Sequence, residues 1–274
     1  MEKIKKGDIV GRISYGKDIL FIVEKIIKTS NNNTYAILKG LNIRIKADSP
    51  IEDLELIGKD KIIENERIFQ ERYEKRIKRR EPKNILSRER EIIYTGKILH
   101  LDGDRRYSEK SDRYYKKLGL NAIVRNIAEN KQALVVNNLL KRYKPDILIV
   151  TGHDGMIRKG TKFNDIYNYR NSRYFIETVL AARKSNATNK DLVIFAGACQ
   201  SYYEGIMIAG ANFASSPERI LIDFLDPLIV AEKVATTDER NYITIFDIES
   251  ELRDGKKGID GIGAFGKKKK MTIL

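Results

Sequence analysis

Cysteine occurs once in this chain of 274 residues and histidine only twice. A single cysteine excludes an internal disulfide and cannot by itself build a thiolate zinc site. No apolar run is long enough to span a bilayer, and the opening Met1-Glu2-Lys3-Ile4-Lys5-Lys6-Gly7 lacks the apolar stretch of a signal peptide. There is no Gly-x-Gly-x-x-Gly fingerprint and no P-loop, which argues against a nucleotide held at a sheet edge. No ladder of aromatics suited to stacking single-stranded nucleic acid is visible. With 42% hydrophobic residues the chain has enough for a proper core. The composition therefore describes a soluble protein of a reducing cytoplasm.

The net charge of +14 invites a nucleic-acid reading, so its location matters. Residues 59–90 carry 12 Lys/Arg against 7 Asp/Glu, and residues 253–270 carry 7 against 2. The excess thus sits in a connector and a tail, where it could attract an anionic partner electrostatically. Glu alternates with Lys and Arg at helical spacing in the connector, which favours a solvated helix surface.

Four segments are expected. Residues 1–57 read as a small β domain, an SH3-like β-barrel: Ile19–Val23, Tyr35–Leu38 and the period-two run Leu41–Lys46 are short strands around the turn cluster Ser30-Asn31-Asn32-Asn33. Residues 58–95 form a charged helical linker with Ile62, Ile63, Phe69, Tyr73 and Ile77 along one face, interrupted at Pro82. Residues 96–252 alternate strand and helix, the pattern of a mainly parallel sheet flanked by helices. Ser111 is the expected cap of the first helix there, and Tyr242–Phe246 the expected last strand. Residues 253–274 form a basic Gly/Lys-rich tail that reads as mobile.

Within the α/β segment, two buried-looking strands end in chemistry. Asp146–Val150 runs into Thr151-Gly152-His153-Asp154-Gly155, and Leu192–Ala196 runs into Gly197-Ala198-Cys199-Gln200-Ser201. Functional groups gather outside the carboxyl ends of parallel strands. A thiol and an imidazole at neighbouring strand ends are the parts of a nucleophile and its general acid/base. If a helix starts right after Cys199, its dipole lowers the thiol pKa. Backbone amides of Cys199 and of Asp154 or Gly155 are then candidates to hold an oxyanion. His100, inside an apolar run, reads as a core residue.

These motifs resemble the caspase-like cysteine peptidases, the group of legumain, clostripain and the gingipains, in which His-Gly follows one strand and Ala-Cys the next. Here Ala198-Cys199 matches, and Asp154 stands inside the usual His-Gly pair. A fuller resemblance spans nearly the whole chain: Gly7-Asp8-Ile9-Val10, Ala36-Ile37-Leu38-Lys39-Gly40-Leu41, His100-Leu101-Asp102-Gly103-Asp104, Thr151–Gly155 and Ala198–Ser201 look like the YabG family of sporulation-specific peptidases. That resemblance implies a caspase-like fold and a thiol protease made in the mother-cell cytoplasm of a spore-former, associated with the forespore surface or spore coat. It implies spore coat and related proteins as substrates, with catalytic roles for His153 and Cys199 and no metal or organic cofactor. Relatives that cut after arginine use an acidic specificity pocket, for which Asp102, Asp104 and Asp154 are the candidates. The competing expectation is a non-enzymatic spore-coat scaffold or nucleic-acid-binding protein acting through the barrel and basic segments.

Overall fold

Five short strands open the chain in the computed structural model, which describes residues 3–31, 33–80, 91–158, 160–185 and 191–272. They are β1 (Ile9–Arg12), β2 (Phe21–Lys28), β3 (Thr34–Gly40), β4 (Lys46–Pro50) and β5 (Leu54–Leu56), paired antiparallel in the order β4-β3-β2-β1-β5. Alternation sends Val10, Phe21, Val23, Ala36, Leu38 and Leu54 to one buried face. The outer strands β4 and β5 do not pair with each other, so the expected barrel is instead an open sheet. β5 has only three residues, and β4 ends at Pro50, whose missing N–H suits an edge. The buried face is closed from outside the sheet, because its cluster includes Cys199 and Ile222.

The charged connector is the 22-residue helix α1 (Lys59–Arg80). Its apolar residues at i, i+4 and i+8, Phe69, Tyr73 and Ile77, are all buried in the largest core cluster. Phe69 meets the Phe224 ring edge-on at 5.6 Å and Tyr73 meets Tyr114 at 5.9 Å. Arg72 pairs with Asp223, and Arg76 with Glu232 and Glu251. The helix is thus a packed element of the fold, although Ile63 remains exposed. Pro82 lies outside the described residues.

After β6 (Glu91–Tyr94), strands and helices alternate: β7 (Ile98–Asp102), α2 (Arg105–Lys117), β8 (Ala122–Asn126), α3 (Glu129–Tyr143), β9 (Ile147–Thr151), α4 (Ser172–Ser185), β10 (Val193–Ala196), α5 (Tyr203–Ile208), β11 (Phe213–Ser215) and α6 (Asp226–Thr236). β7 to β11 run parallel in the order β11-β10-β9-β7-β8. Successive residues of β9 point to opposite faces. Ile147 and Ile149 join the cluster of α1, α2 and α6, while Leu148 and Val150 join that of α3, α4 and α5. Both faces being covered explains why the strands read as unbroken apolar runs.

The last segments differ from expectation. β12 (Tyr242–Ile243) pairs with β14 (Ala264–Phe265), outside the main sheet. The sixth strand of that sheet is β13 (Ile259–Gly261), antiparallel to β11, and β15 (Lys269–Thr272) pairs with β6. The Gly-rich tail is therefore structured through residue 272. Gly261 is needed there, since a Cβ would lie 2.1 Å from the Asn212 carbonyl oxygen. α2 also starts earlier than expected: Asp104, not Ser111, caps it by accepting from the amides of Arg106 and Tyr107, and Ser111 is buried mid-helix. Among the described residues no helix is long and apolar enough to cross a membrane.

Candidate active site

β9 and β10 are neighbours in register, Val150 opposite Ala196, so their carboxyl ends deliver His153 and Cys199 to the same rim. The turn after β10 requires glycine: Gly197 has φ +116°, and a Cβ there would sit 2.2 Å from Ser215 Oγ. Cys199 is fully buried. Its Sγ accepts a hydrogen bond from the Ile222 amide at 3.3 Å and lies 3.6 Å from the Ile222 carbonyl. Burial pushes the thiol up to about 12, outweighing the Ile222 amide and the Arg44 charge, which act the other way. The expected lowering by a helix dipole does not occur, because α5 begins only at Tyr203 and is six residues long.

His153 is held from several sides. Its amide donates to Glu129 Oε1 at 2.9 Å, and its carbonyl accepts from Asn171 Nδ2 at 2.6 Å. The ring stacks on Tyr107 with centroids 5.0 Å apart, and Nε2 lies 3.2 Å from Asp104 Oδ2. Nδ1 is buried with no hydrogen-bond partner among the described residues. Burial raises the Asp104 carboxyl, but the hydrogen bond and charge of His153, with help from Lys39, hold it well below the usual carboxylate range. His100 lies behind the rim: its nitrogens meet Thr151 Oγ1 at 2.7 Å and Tyr115 OH at 3.1 Å, with Nε2 3.6 Å from Asp102 Oδ2, and burial lowers it to about 3, so it is a neutral core imidazole.

Asp154 is also buried, and burial raises its carboxyl to about 6 against the hydrogen bonds it accepts. Those donors are Ser172 Oγ, Ser201 Oγ and the amides of Asn171 and Gly155. The carboxylate thereby ties the His153 loop to the Cys199 loop and to the start of α4. The Gly155 amide is consumed in this bond, at 2.8 Å.

The residue that brings the rim together is Arg44, in the loop between β3 and β4, which the sequence did not single out. Its carbonyl oxygen accepts from the Cys199 amide at 3.2 Å and from the Asp154 amide at 3.1 Å. Its side chain is wholly buried, with Nη1 2.7 Å from Asp102 Oδ2 and the guanidinium 4.8 Å and 5.4 Å from the Tyr107 and Phe224 ring centroids. Asp102 in turn accepts from Thr151 Oγ1 at 2.9 Å and the Asp104 amide at 2.8 Å. The three candidate acidic residues therefore divide, Asp102 facing Arg44, Asp104 facing His153 and Asp154 facing Ser172 and Ser201. On either side of Arg44 the chain is tied to its surroundings: Ile43 bridges Asp223 antiparallel, and the Lys46 amide donates to the Asp154 carbonyl at 2.7 Å.

The Arg44 guanidinium thus has one carboxylate partner and two aromatic faces, its carbonyl oxygen lies between two amides, and the Ile45 amide closes a tight turn across it onto the Ile43 carbonyl at 2.8 Å. The family model of the YabG peptidase U57 matches residues 5–272. The chain is 37% identical over 274 residues, 95% of its own length and 94% of the relative's, to the sporulation-specific protease YabG of Bacillus subtilis (strain 168). No solved structure matches. The protein is a member of the YabG peptidase U57 family.

Proposed function

We propose that the protein is a cysteine endopeptidase that cuts a polypeptide after arginine, with Cys199 as nucleophile and His153 as general acid and base. The observation that supports this best is the Arg44 carbonyl oxygen lying between the Cys199 and Asp154 amides while its guanidinium meets Asp102. Two amide donors on one carbonyl oxygen are the arrangement that stabilises a tetrahedral oxyanion, and loss of one such donor typically costs roughly 10²–10³ in rate. The second donor in this reading is Asp154, since the Gly155 amide is engaged elsewhere.

The reaction follows from these parts. The Cys199 proton passes to His153 Nδ1, and the sulfur attacks the carbonyl carbon of the arginine seated over Asp102. The C=O electron pair moves onto oxygen between the two amides. Collapse breaks the C–N bond as Nδ1 returns its proton to the departing amine, leaving a thioester. Water, deprotonated by His153, then releases the acid and restores the thiol. Asp104 is a positioning residue: it accepts the Nε2 proton and leaves Nδ1 directed at the chemistry. The 2.7 Å contact between the Arg44 guanidinium and Asp102 makes Asp102 the specificity residue of this scheme.

On the same reading the α/β layers are caspase-like, with the catalytic pair at the carboxyl ends of adjacent parallel strands, and the peptidase unit runs from residue 96 through β13. The name of the Bacillus relative supports a role in sporulation; the resemblance carried by the sequence motifs extends the proposal to spore coat and related proteins in the mother cell. The test is cleavage of an arginine-containing peptide by wild type, Cys199→Ala and His153→Ala, with the cut bond mapped by mass spectrometry. Both substitutions should abolish cleavage; a normal rate in Cys199→Ala, or cuts that never follow arginine, would sink the proposal.

A further inference from the structure

We infer that residues 42–46 are a built-in substrate mimic, held in the active-site groove by the N-terminal sheet, so that the intact chain is latent toward other proteins until this segment is displaced. The inference rests on the peptidase reading for the identity of the groove, and adds its regulation.

The segment is secured from its own side as well as from the rim. The Ile45 carbonyl accepts from the Gly40 amide at 2.9 Å, Tyr107 OH donates to the Gly40 carbonyl at 3.1 Å, and Asn42 meets Asn65 and Lys110 at 2.7 and 2.9 Å. The rim in turn is shaped to take a chain here. A Cβ on Gly155 would lie 2.2 Å from the Lys46 carbonyl oxygen, so the rim is stripped to backbone where the segment passes.

Folding stability alone does not account for Arg44. Its Nε and Nη2 are buried without a hydrogen-bond partner among the described residues, and unsatisfied donors cost free energy. A buried ion pair is on balance close to neutral against an apolar replacement. An arginine tolerated under those terms marks a pocket that recognises arginine, filled from within. Tethering gives the occupant an effective concentration of order millimolar, well above that of an ordinary protein substrate. A groove free in about 1% of molecules would weaken apparent substrate binding about 100-fold.

The segment is also placed to resist being consumed. The Ile45 amide donates to the Ile43 carbonyl at 2.8 Å, so both sides of the Arg44–Ile45 bond are fixed. Attack by Sγ there would form a thioester to Arg44 and a free Ile45 amine. That amine, kept against the thioester, re-forms the peptide bond and returns the thiol. While the segment is in place, burial also keeps Cys199 protonated.

The experiment measures alkylation of Cys199 by iodoacetamide, followed by intact mass, in freshly prepared full-length protein, Arg44→Ala and Gly40→Ala. The second variant leaves Arg44 intact but places a Cβ 2.2 Å from the Ile43 carbonyl oxygen and 2.9 Å from Ile45 Cγ2, loosening the segment from behind. Both variants should react at least about 10-fold faster than wild type, and a synthetic peptide of residues 40–48 should slow Arg44→Ala again. Folding of each is checked by thermal melting; if Arg44→Ala does not fold, Gly40→Ala carries the test. Folded variants that react no faster than wild type would overturn the latch. The two readings separate: faster alkylation without cleavage of an arginyl peptide leaves residues 42–46 as a cover over Cys199 but removes the peptidase and the substrate mimicry with it, whereas cleavage at wild-type rate with an unchanged thiol keeps the peptidase and removes the latch.

Discussion

Nε2 of His153 lies 3.2 Å from Oδ2 of Asp104, while the other oxygen of the same carboxylate accepts from the first amides of α2. One side chain thus orients the imidazole and caps a helix. Asn can serve as an N-cap nearly as well as Asp, so Asp104→Asn separates the two roles. We expect kcat to fall about 10²–10⁴-fold, the range set by general acid–base catalysis, with KM nearly unchanged and the melting temperature within a few degrees. Steady-state kinetics on an arginyl peptide checks this, and a loss confined to KM would contradict the positioning role.

Asp102 should decide what is cut. Removing one partner of a buried, hydrogen-bonded charge pair costs about 2–5 kcal/mol, so Asp102→Asn should lower kcat/KM for arginyl peptides about 30-fold or more. Peptides with uncharged residues at that position should be hardly affected. A peptide-library digest read by mass spectrometry gives the comparison, and an unchanged arginine preference would place specificity elsewhere.

Gly197→Ala should destabilise the fold and the site together. The position has φ +116°, and the new Cβ would meet Ser215 Oγ at 2.2 Å, the hydroxyl that donates to the Ala198 carbonyl. A cost of about 2–3 kcal/mol in urea unfolding is expected from the strained backbone and displaced serine. Cys199 sits two residues on, so activity should fall as well.

Stability should also depend on pH, through Asp226. Burial and the neighbouring Asp223 raise its carboxyl to about 7, against the amides of Arg253 and Asp223 and the Arg253 charge; Arg72 pairs with Asp223 from α1. The unfolded carboxyl titrates near 4, so between about pH 4 and 7 the folded state binds the extra proton and stability falls as pH rises. Asp154, raised to about 6, adds in the same direction. Asp104 acts oppositely at lower pH, where its protonation removes the stabilisation by His153. Thermal melting should therefore peak on the acid side of neutral, and Asp226→Asn should gain about 1–3 kcal/mol at pH 8 and flatten the profile. A melting temperature that climbs steadily from pH 5 to 8 would refute this.

The strands bearing His153 and Cys199 were legible because a sheet covered on both faces leaves continuous apolar runs, Ile147–Val150 and Val193–Ala196, that stop where the chemistry begins. Arg44 was not. Its partner Asp102 lies 58 residues away, and in Leu41–Lys46 it falls among alternating polar positions that read as the solvent side of a strand. Burial of that charge is decided by a pocket that only the folded chain assembles. The thiol environment was misjudged for a related reason: proximity of α5 in sequence suggested a helix dipole, while Cys199 is buried among residues of the N-terminal sheet and Ile222. β13 was hidden by Gly261, read as part of a mobile tail but required where Asn212 approaches.

α1 reaches Arg80 with Phe69, Tyr73 and Ile77 sunk in the main core, and β15 clasps β6 just beyond the residues that follow. Severing the backbone between Arg80 and Glu91 would therefore not part the two halves. The amino-terminal piece would stay docked through its helix and through residues 43–46, migrating as two bands under denaturing conditions and as one particle under native ones. For this protein, being cut and coming apart are separate events.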